Sequence, residues 1–314
     1  MRTRISLCVL SIMMIFVLCS CSIFSKDPTV ATVNGEEIKS SIYGYFLSSL
    51  KTQIGNVKTV DGKPAAEYAS KLAMEAAVKL YVTAQKAQEL GVEFDDAMKA
   101  QFDSQISDIK DQAGNDNKYE EFLSKYGLNE DTYELLIKYT LIQNAVKTKV
   151  ESSYTPEQIN EFYNGSMVNV QNILFKITDE NNIPLSDDVI AEKKALADDA
   201  LNRINNGESF SSLKAQYNED VANTELGYMV SDYSSFVEPF VKASMKLEVG
   251  QVSGIVQSSY GYHIIKRFNH VDNSEMFTAS QTDILSSMFE KDVSLWIQAS
   301  DVEYDEDAIK KVEY

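Results

Sequence analysis

The sequence predicts an α+β protein: a mainly helical, discontinuous domain with a smaller α+β domain inserted into it, the insert being a small antiparallel sheet flanked by helices. Three observations carry that prediction. Apolar residues recur every three to four positions from about residue 40 to residue 164. From about 166 to 270, runs rich in Val, Ile and aromatic residues alternate with short helical patterns. From Ser274 the helical spacing returns, in Met276, Phe277, Ile284, Leu285, Met288, Phe289, Trp296 and Ile297. A length of 314 residues agrees with more than one core.

Residues 1–20 lie outside that scheme. Arg2 and Arg4 precede an apolar run from Ile5 to Leu18, about 14 residues against the roughly 20 of a permanent membrane span. This reads as a secretory signal peptide. The run closes in Leu18-Cys19-Ser20-Cys21, which resembles the bacterial lipobox. The resemblance implies cleavage before Cys21, a lipid on its thiol, and residues 21–29 as a short tether containing Pro28. Two acyl chains on one Cys meet the requirement for stable attachment. Cleavage takes the net charge from −18 to −20 and leaves no second Cys to pair, so packing alone must stabilise the exported fold.

The elements follow in order. Val30–Ile38 reads as a strand, an Asn34-Gly35 turn and a return strand. Ser40–Lys51 is helical and Asn56–Pro64 is a loop. Ala65–Leu90 is a long helix through Leu72, Ala76, Leu80, Ala84 and Ala87, stopped by Gly91. Glu93–Gln112, Tyr119–Tyr126 and Glu130–Glu151 continue the helical series, with Asn129 or Asp131 capping the last. Thr155-Pro156 supplies an N-cap followed by a helix-starting proline. The inserted domain opens on the β-rich run Val168–Ile177. Helices at Asp187–Asn205, Phe210–Tyr217 and Phe236–Leu247 follow, then strands at Val252–Val256 and Tyr262–Phe268. Val302–Tyr304 reads as a last strand, a candidate to pair with the one near Val30. That pairing would make 30–165 and 271–314 one domain around 166–270.

Composition excludes several function classes. An acidic chain lacks the clustered Lys and Arg that nucleic acid demands. Two His and three Cys leave almost no material for a zinc site. There is no G-x-S-x-G, G-x-x-x-x-G-K or G-x-G-x-x-G motif, and no repeated βα unit of the solute-binding kind.

Several segments of the insert occur together in a recognisable order. They are Phe210–Asp220, Glu225-Leu226-Gly227-Tyr228, Phe236 with Pro239-Phe240, Val249-Gly250-Gln251-Val252-Ser253, and Tyr260-Gly261-Tyr262-His263-Ile264-Ile265. On these the chain resembles the extracytoplasmic parvulin-type foldases, the PrsA-like lipoproteins and their SurA-like relatives. Val30–Ile38 and Leu123–Leu128 resemble parts of the helical chaperone domain of that family. The resemblance implies a parvulin-like insert that catalyses peptidyl-prolyl cis/trans isomerisation, and it implies no cofactor. Its partners would be unfolded or folding exported polypeptides and the membrane, reached through Cys21, with a homodimer as one admissible assembly. The chain would sit as a cell-membrane lipoprotein on the extracytoplasmic face.

Carried over position by position, the resemblance implies His263, Asp220, Asn172 and Ser258 as the catalytic set. It implies Leu226, Phe236, Phe240 and Met245 as the lining of the proline pocket. From the residues alone those four apolar side chains read equally as ordinary core. His270 reads as a surface residue after the last strand. Two positions depart from the pattern. Asn172 stands where the family's first strand has His, and Asn223-Thr224 stand where it has Gly-Gly. Asn exchanges hydrogen bonds but does not titrate near neutrality. The departures leave a weak isomerase as one expectation and a non-catalytic holdase, its insert a degenerate peptide-binding module, as the alternative.

Overall fold

A computed structural model describes residues 27–54, 59–60, 63–180, 183–222, 225–271 and 273–312. The signal segment, Cys21 and Asn223-Thr224 lie outside the described residues. Among the described residues the first element is a hairpin, β1 (Thr29–Val33) and β2 (Glu36–Lys39), turned by Asn34 and Gly35 at φ 51° and 84°. Then come α1 (Ser40–Ile54), a small hairpin of β3 (Thr59–Val60) and β4 (Lys63–Pro64) where a loop was expected, and α2 (Ala65–Glu89). The helical series continues with α3 (Asp96–Ala113), α4 (Asp116–Lys125), α5 (Glu130–Glu151) and α6 (Pro156–Ser166). Local chemistry sets the helix starts. Asn129, not Asp131, caps α5 through a capping box with Thr132. Thr155 caps α6 in a second box with Gln158, with Pro156 as first helical residue.

Residues 168–268 contain β5 (Val168–Lys176), α7 (Asp187–Asn205), α8 (Phe210–Tyr217), β6 (Tyr228–Val230), α9 (Glu238–Lys246), β7 (Val256–Gln257) and β8 (Gly261–Phe268). Their strands form one antiparallel sheet in the order β6-β5-β8-β7. One strand here was not expected, and one expectation is corrected. β6 is a strand of only three residues, too short for its alternation to stand out in the sequence. The expected strand Val252–Val256 is broken. Val252 makes a single bridge to Lys266, and Ser253 uses its side-chain oxygen to take the Ile265 N–H at 2.9 Å. Regular pairing resumes only at Val256.

The chain returns to the helical part through α10 (Ser274–Ala279) and α11 (Gln281–Ala299), then β9 (Val302–Tyr304) and α12 (Glu306–Ile309). β9 joins the first hairpin in the order β2-β1-β9, with Ala31 opposite Tyr304 and Val33 opposite Val302. Asn34 fastens the junction. Its Oδ1 accepts from Asp301 N at 2.8 Å and its Nδ2 donates to Gln85 Oε1 on α2 at 2.8 Å. One apolar core runs through β1, α1, α2, α4 and α5 and takes in Ala308, with Trp296, Val302 and Ile309 packed on it. Among the described residues no helix is long and apolar enough to cross a membrane.

His270 is not on the surface. It is 3% exposed, and its Nε2 lies 2.9 Å from the Tyr163 carbonyl oxygen. Tyr163 in turn donates its hydroxyl to the His270 carbonyl at 2.9 Å. The chain folds back here onto α6, so a residue beyond the end of β8 is covered by the helical region.

Candidate active site

β5 is buried on both faces, and its alternation divides them. Ile173 and Phe175 pack with Ala197 and Ala200 of α7 and with Phe210 and Leu213 of α8. Val168 and Val170 pack on the other face with Phe240 and Val241 of α9 and with Ile265. The β5–β8 register sets Asn172 opposite Ile265 and Leu174 opposite His263. Asn172 and His263 therefore lie on the α9 face, where β8 neighbours β7. Gly261 permits β8 to start there. Its φ is +153°, and a Cβ would meet the Phe175 carbonyl oxygen at 2.1 Å.

His263 is 4% exposed. Its Nε2 lies 2.7 Å from Ser258 Oγ, which also accepts the Tyr260 N–H at 3.1 Å. Nδ1 has no hydrogen-bond partner among the described residues. Burial pushes the imidazole from 6.5 down to about 4, and the nearby Asp220 charge only partly opposes this. At neutral pH the ring is thus a neutral dipole.

Asp220 is presented by the turn after α8. Asn218 builds that turn: its Nδ2 donates to the Asp220 carbonyl at 2.8 Å, and its Oδ1 accepts from Leu174 N at 3.0 Å. The Asp220 carboxylate accepts from Asn172 Nδ2 at 3.3 Å, from Ala222 N at 3.2 Å, and from the Tyr228 hydroxyl at 3.0 and 3.1 Å. Asn172 and Asp220, 48 positions apart, are thus in direct contact. Tyr228 is a site residue that sequence reasoning missed. Its only signal was an aromatic directly after Gly227.

An aromatic wall adjoins these groups. Ring centres are 5.0 Å apart for Tyr228 and Phe236, 5.4 Å for Phe236 and Phe240, and 5.5 Å for Phe240 and His263. Met245 packs on the same cluster. Of the four expected lining residues, Phe236, Phe240 and Met245 are brought together. Leu226 is not among them. It packs with Met229, Met276 and Phe162 on the helical side. Gly227 separates it from Tyr228, turning the chain at φ +79° so close to β5 that a Cβ would lie 2.4 Å from the Val170 carbonyl oxygen.

The arrangement can do a limited chemistry. It offers one carboxylate, an uncharged imidazole, a hydroxyl and an amide beside an apolar aromatic surface. Such a set suits the binding and polarisation of a neutral group such as an amide.

Comparison with known proteins agrees. A family model for the PPIC-type PPIase domain matches residues 157–271, and one for the SurA-like N-terminal domain matches residues 2–147. The Foldase protein PrsA of Clostridium botulinum (strain Langeland) is 29% identical over 280 residues, covering 79% of this chain and 78% of the relative. The protein of the same name from Clostridium kluyveri (strain ATCC 8527) is 24% identical, covering 95% and 96%. Among solved structures, the crystal structure of PrsA from Bacillus subtilis shares 21% identity, covering 84% of this chain and 94% of that one, at a TM-score of 0.29. The two family matches cover separate parts of the chain, the curated relatives match it along most of its length, and the chain accordingly belongs to the PrsA-type foldases, a SurA-like N-terminal domain joined to a PPIC-type parvulin domain.

Proposed function

We propose that this protein is an extracytoplasmic, membrane-anchored foldase that isomerises X-Pro bonds of exported polypeptides at the site formed by Asn172, Asp220, Ser258 and His263. The observation that carries the reading is the placing of the Ser258–His263 pair at 2.7 Å directly against the Phe240 ring. A planar X-Pro amide is held by resonance, with a rotation barrier of about 18–20 kcal/mol. Resonance also makes the planar form the more polar one. An apolar surface formed by Phe236, Phe240 and Met245 would receive the proline ring and strip water from the amide, which favours the twisted state. The Asp220 carboxylate near the carbonyl oxygen would oppose the resonance form that puts negative charge there. The neutral dipoles of Asn172 and His263–Ser258 would orient the carbonyl. No proton needs to move and no cofactor is required.

The anchor is the second part of the proposal. The Asp27 carboxylate accepts from the Ser41 N–H at 2.9 Å and from the Ser40 hydroxyl at 2.8 Å, which fixes the chain at the start of α1. Asp27 lies six positions after Cys21, so a lipid there would hold α1 within about 20 Å of the membrane surface. The domain division 30–165 with 271–314, around 166–270, belongs to the same reading and is supported by the β1–β9 pairing.

The test is isomerisation of Ala-X-Pro peptides by the mature chain, beside Asp220→Ala, His263→Ala and Asn172→His. The two alanine variants should lose about tenfold or more in kcat/KM, and Asn172→His should gain several fold. No acceleration above background at high enzyme concentration would remove the catalytic half. The non-catalytic holdase is then favoured. Asn172, 1% exposed at the position where the resemblance implies a His, is the observation on its side. Suppression of client aggregation that is untouched by Asp220→Ala would support it.

A further inference from the structure

The stretch from Glu225 to Val230 has one side in the candidate active site and the other in the helical region. Side chains of β6 alternate. Tyr228 and Val230 join the cluster of Phe236 and Phe240, whereas Met229 between them is buried with Met276, Met288 and Phe162. Leu226 packs on that second cluster too. Two buried amides of β5 hold the main chain between. Asn169 Nδ2 donates to the Leu226 carbonyl at 2.8 Å and lies 4.0 Å from Met276 Sδ. Gln171 Nε2 donates to the Glu225 carbonyl at 2.5 Å. The close approach at Gly227 leaves the backbone no room to slip against Val170. At the far end the Tyr228 hydroxyl meets both oxygens of Asp220.

A three-residue strand with its faces in two packed clusters cannot be displaced on one side alone. We propose that this segment couples the helical region to the active site: Tyr228 is the positioning residue that orients the Asp220 carboxylate, and its place is set by how Leu226 and Met229 pack against Met276 and Met288 of α10 and α11. Methionine supplies the adaptable surface such a joint needs. A rearrangement of the helical region therefore alters the isomerase rate without touching substrate. The effect on rate rests on the isomerase reading; the effect on site geometry does not.

The experiment is a double-mutant cycle on the mature chain with Tyr228→Phe, Met276→Ala and both together. Three quantities are read: kcat and KM for a proline peptide, the proton resonance of the His263 ring, and the melting temperature. Tyr228→Phe keeps the ring against Phe236 and Phe240 and removes the hydroxyl, and should lower kcat by about fivefold with KM unchanged. Met276→Ala should lower kcat by about threefold and shift the His263 resonance, which senses the wall through Phe240. The double variant should lose no more than Tyr228→Phe alone. Independent, multiplying losses would overturn the proposal. So would a Met276→Ala protein that melts lower while its kcat and His263 resonance stay those of wild type. If Met276→Ala does not fold, Leu226→Ala, at a half-buried position, takes its place with the same expectations. If the wild type shows no isomerase activity, the functional reading fails, and the His263 resonance in these variants still decides the coupling.

Discussion

A neutral imidazole buried beside a carboxylate gives stability a sign that can be measured. Burial lowers His263 from 6.5 to about 4 against the pull of Asp220. Between those two values the unfolded chain holds a proton that the folded chain does not. Stability is therefore fully present above about pH 6.5 and is lost as pH falls toward 4. The displacement corresponds to roughly 3 kcal/mol in total, of which about 2 kcal/mol is lost between pH 7 and pH 4.5. The chain has only two His, so the ring-proton resonances come from two imidazoles, and His270→Gln assigns them. The His263 resonance should not titrate until well below pH 6. In urea unfolding, the stability difference between wild type and His263→Gln should shrink by about 2 kcal/mol from pH 7 to pH 4.5. A His263 midpoint near 6.5, or a difference that does not change with pH, would refute the reasoning. His270 is also lowered by burial, but its contribution is common to both proteins and cancels.

Other consequences can be checked more briefly. Gly261→Ala should destabilise the four-stranded sheet by at least about 2–3 kcal/mol, seen in its denaturant midpoint, because the new Cβ meets the Phe175 carbonyl oxygen at 2.1 Å. Asn34→Ala removes the bonds to Asp301 and Gln85 and should cost about 1–2 kcal/mol, with earlier proteolytic release of the C-terminal strand. Thr155→Ala should cost about 1 kcal/mol through loss of the α6 capping box, read by thermal unfolding. Cys21→Ser should move the protein from the membrane fraction to the soluble one if the anchor is as proposed.

The legible parts of the fold were those with a local cause. α5, α7 and α8 begin and end at the predicted residues, because each carries a helical apolar stripe; Asn129 caps α5, whereas Ser186 and Ser209 ahead of α7 and α8 make no side-chain cap bond. The gathering of Asn172, Asp220, Ser258 and His263 was legible only through family resemblance, since no spacing in one sequence places residues 172 and 263 on the same face of a sheet. What escaped has a tertiary cause. Tyr228 gains its role from a carboxylate delivered by a different turn. Leu226 is diverted by the turn at Gly227, and the buried amides of Asn169 and Gln171 are spent on main-chain carbonyls more than fifty positions away. His270 is buried against α6, through Tyr163, 107 positions earlier.

The neutrality of His263 also bears on the substitution at residue 172. If the imidazole worked by exchanging protons, exchanging a neighbouring His for Asn would remove half of a titrating pair. Here the remaining ring is held uncharged down to about pH 4, so at neutral pH it acts as a hydrogen-bonding dipole fixed by Ser258. Asn172 is a dipole of the same kind, and its amide donates to Asp220 at 3.3 Å. Twisting an amide asks for dipoles and desolvation, not for a proton. Under the proposed reaction the substitution changes reach and shape more than chemistry. Asn172→His should then raise the rate several fold without adding a pH dependence between 5.5 and 8. A variant whose rate follows a new titration near pH 6.5 would show that a charged imidazole matters after all.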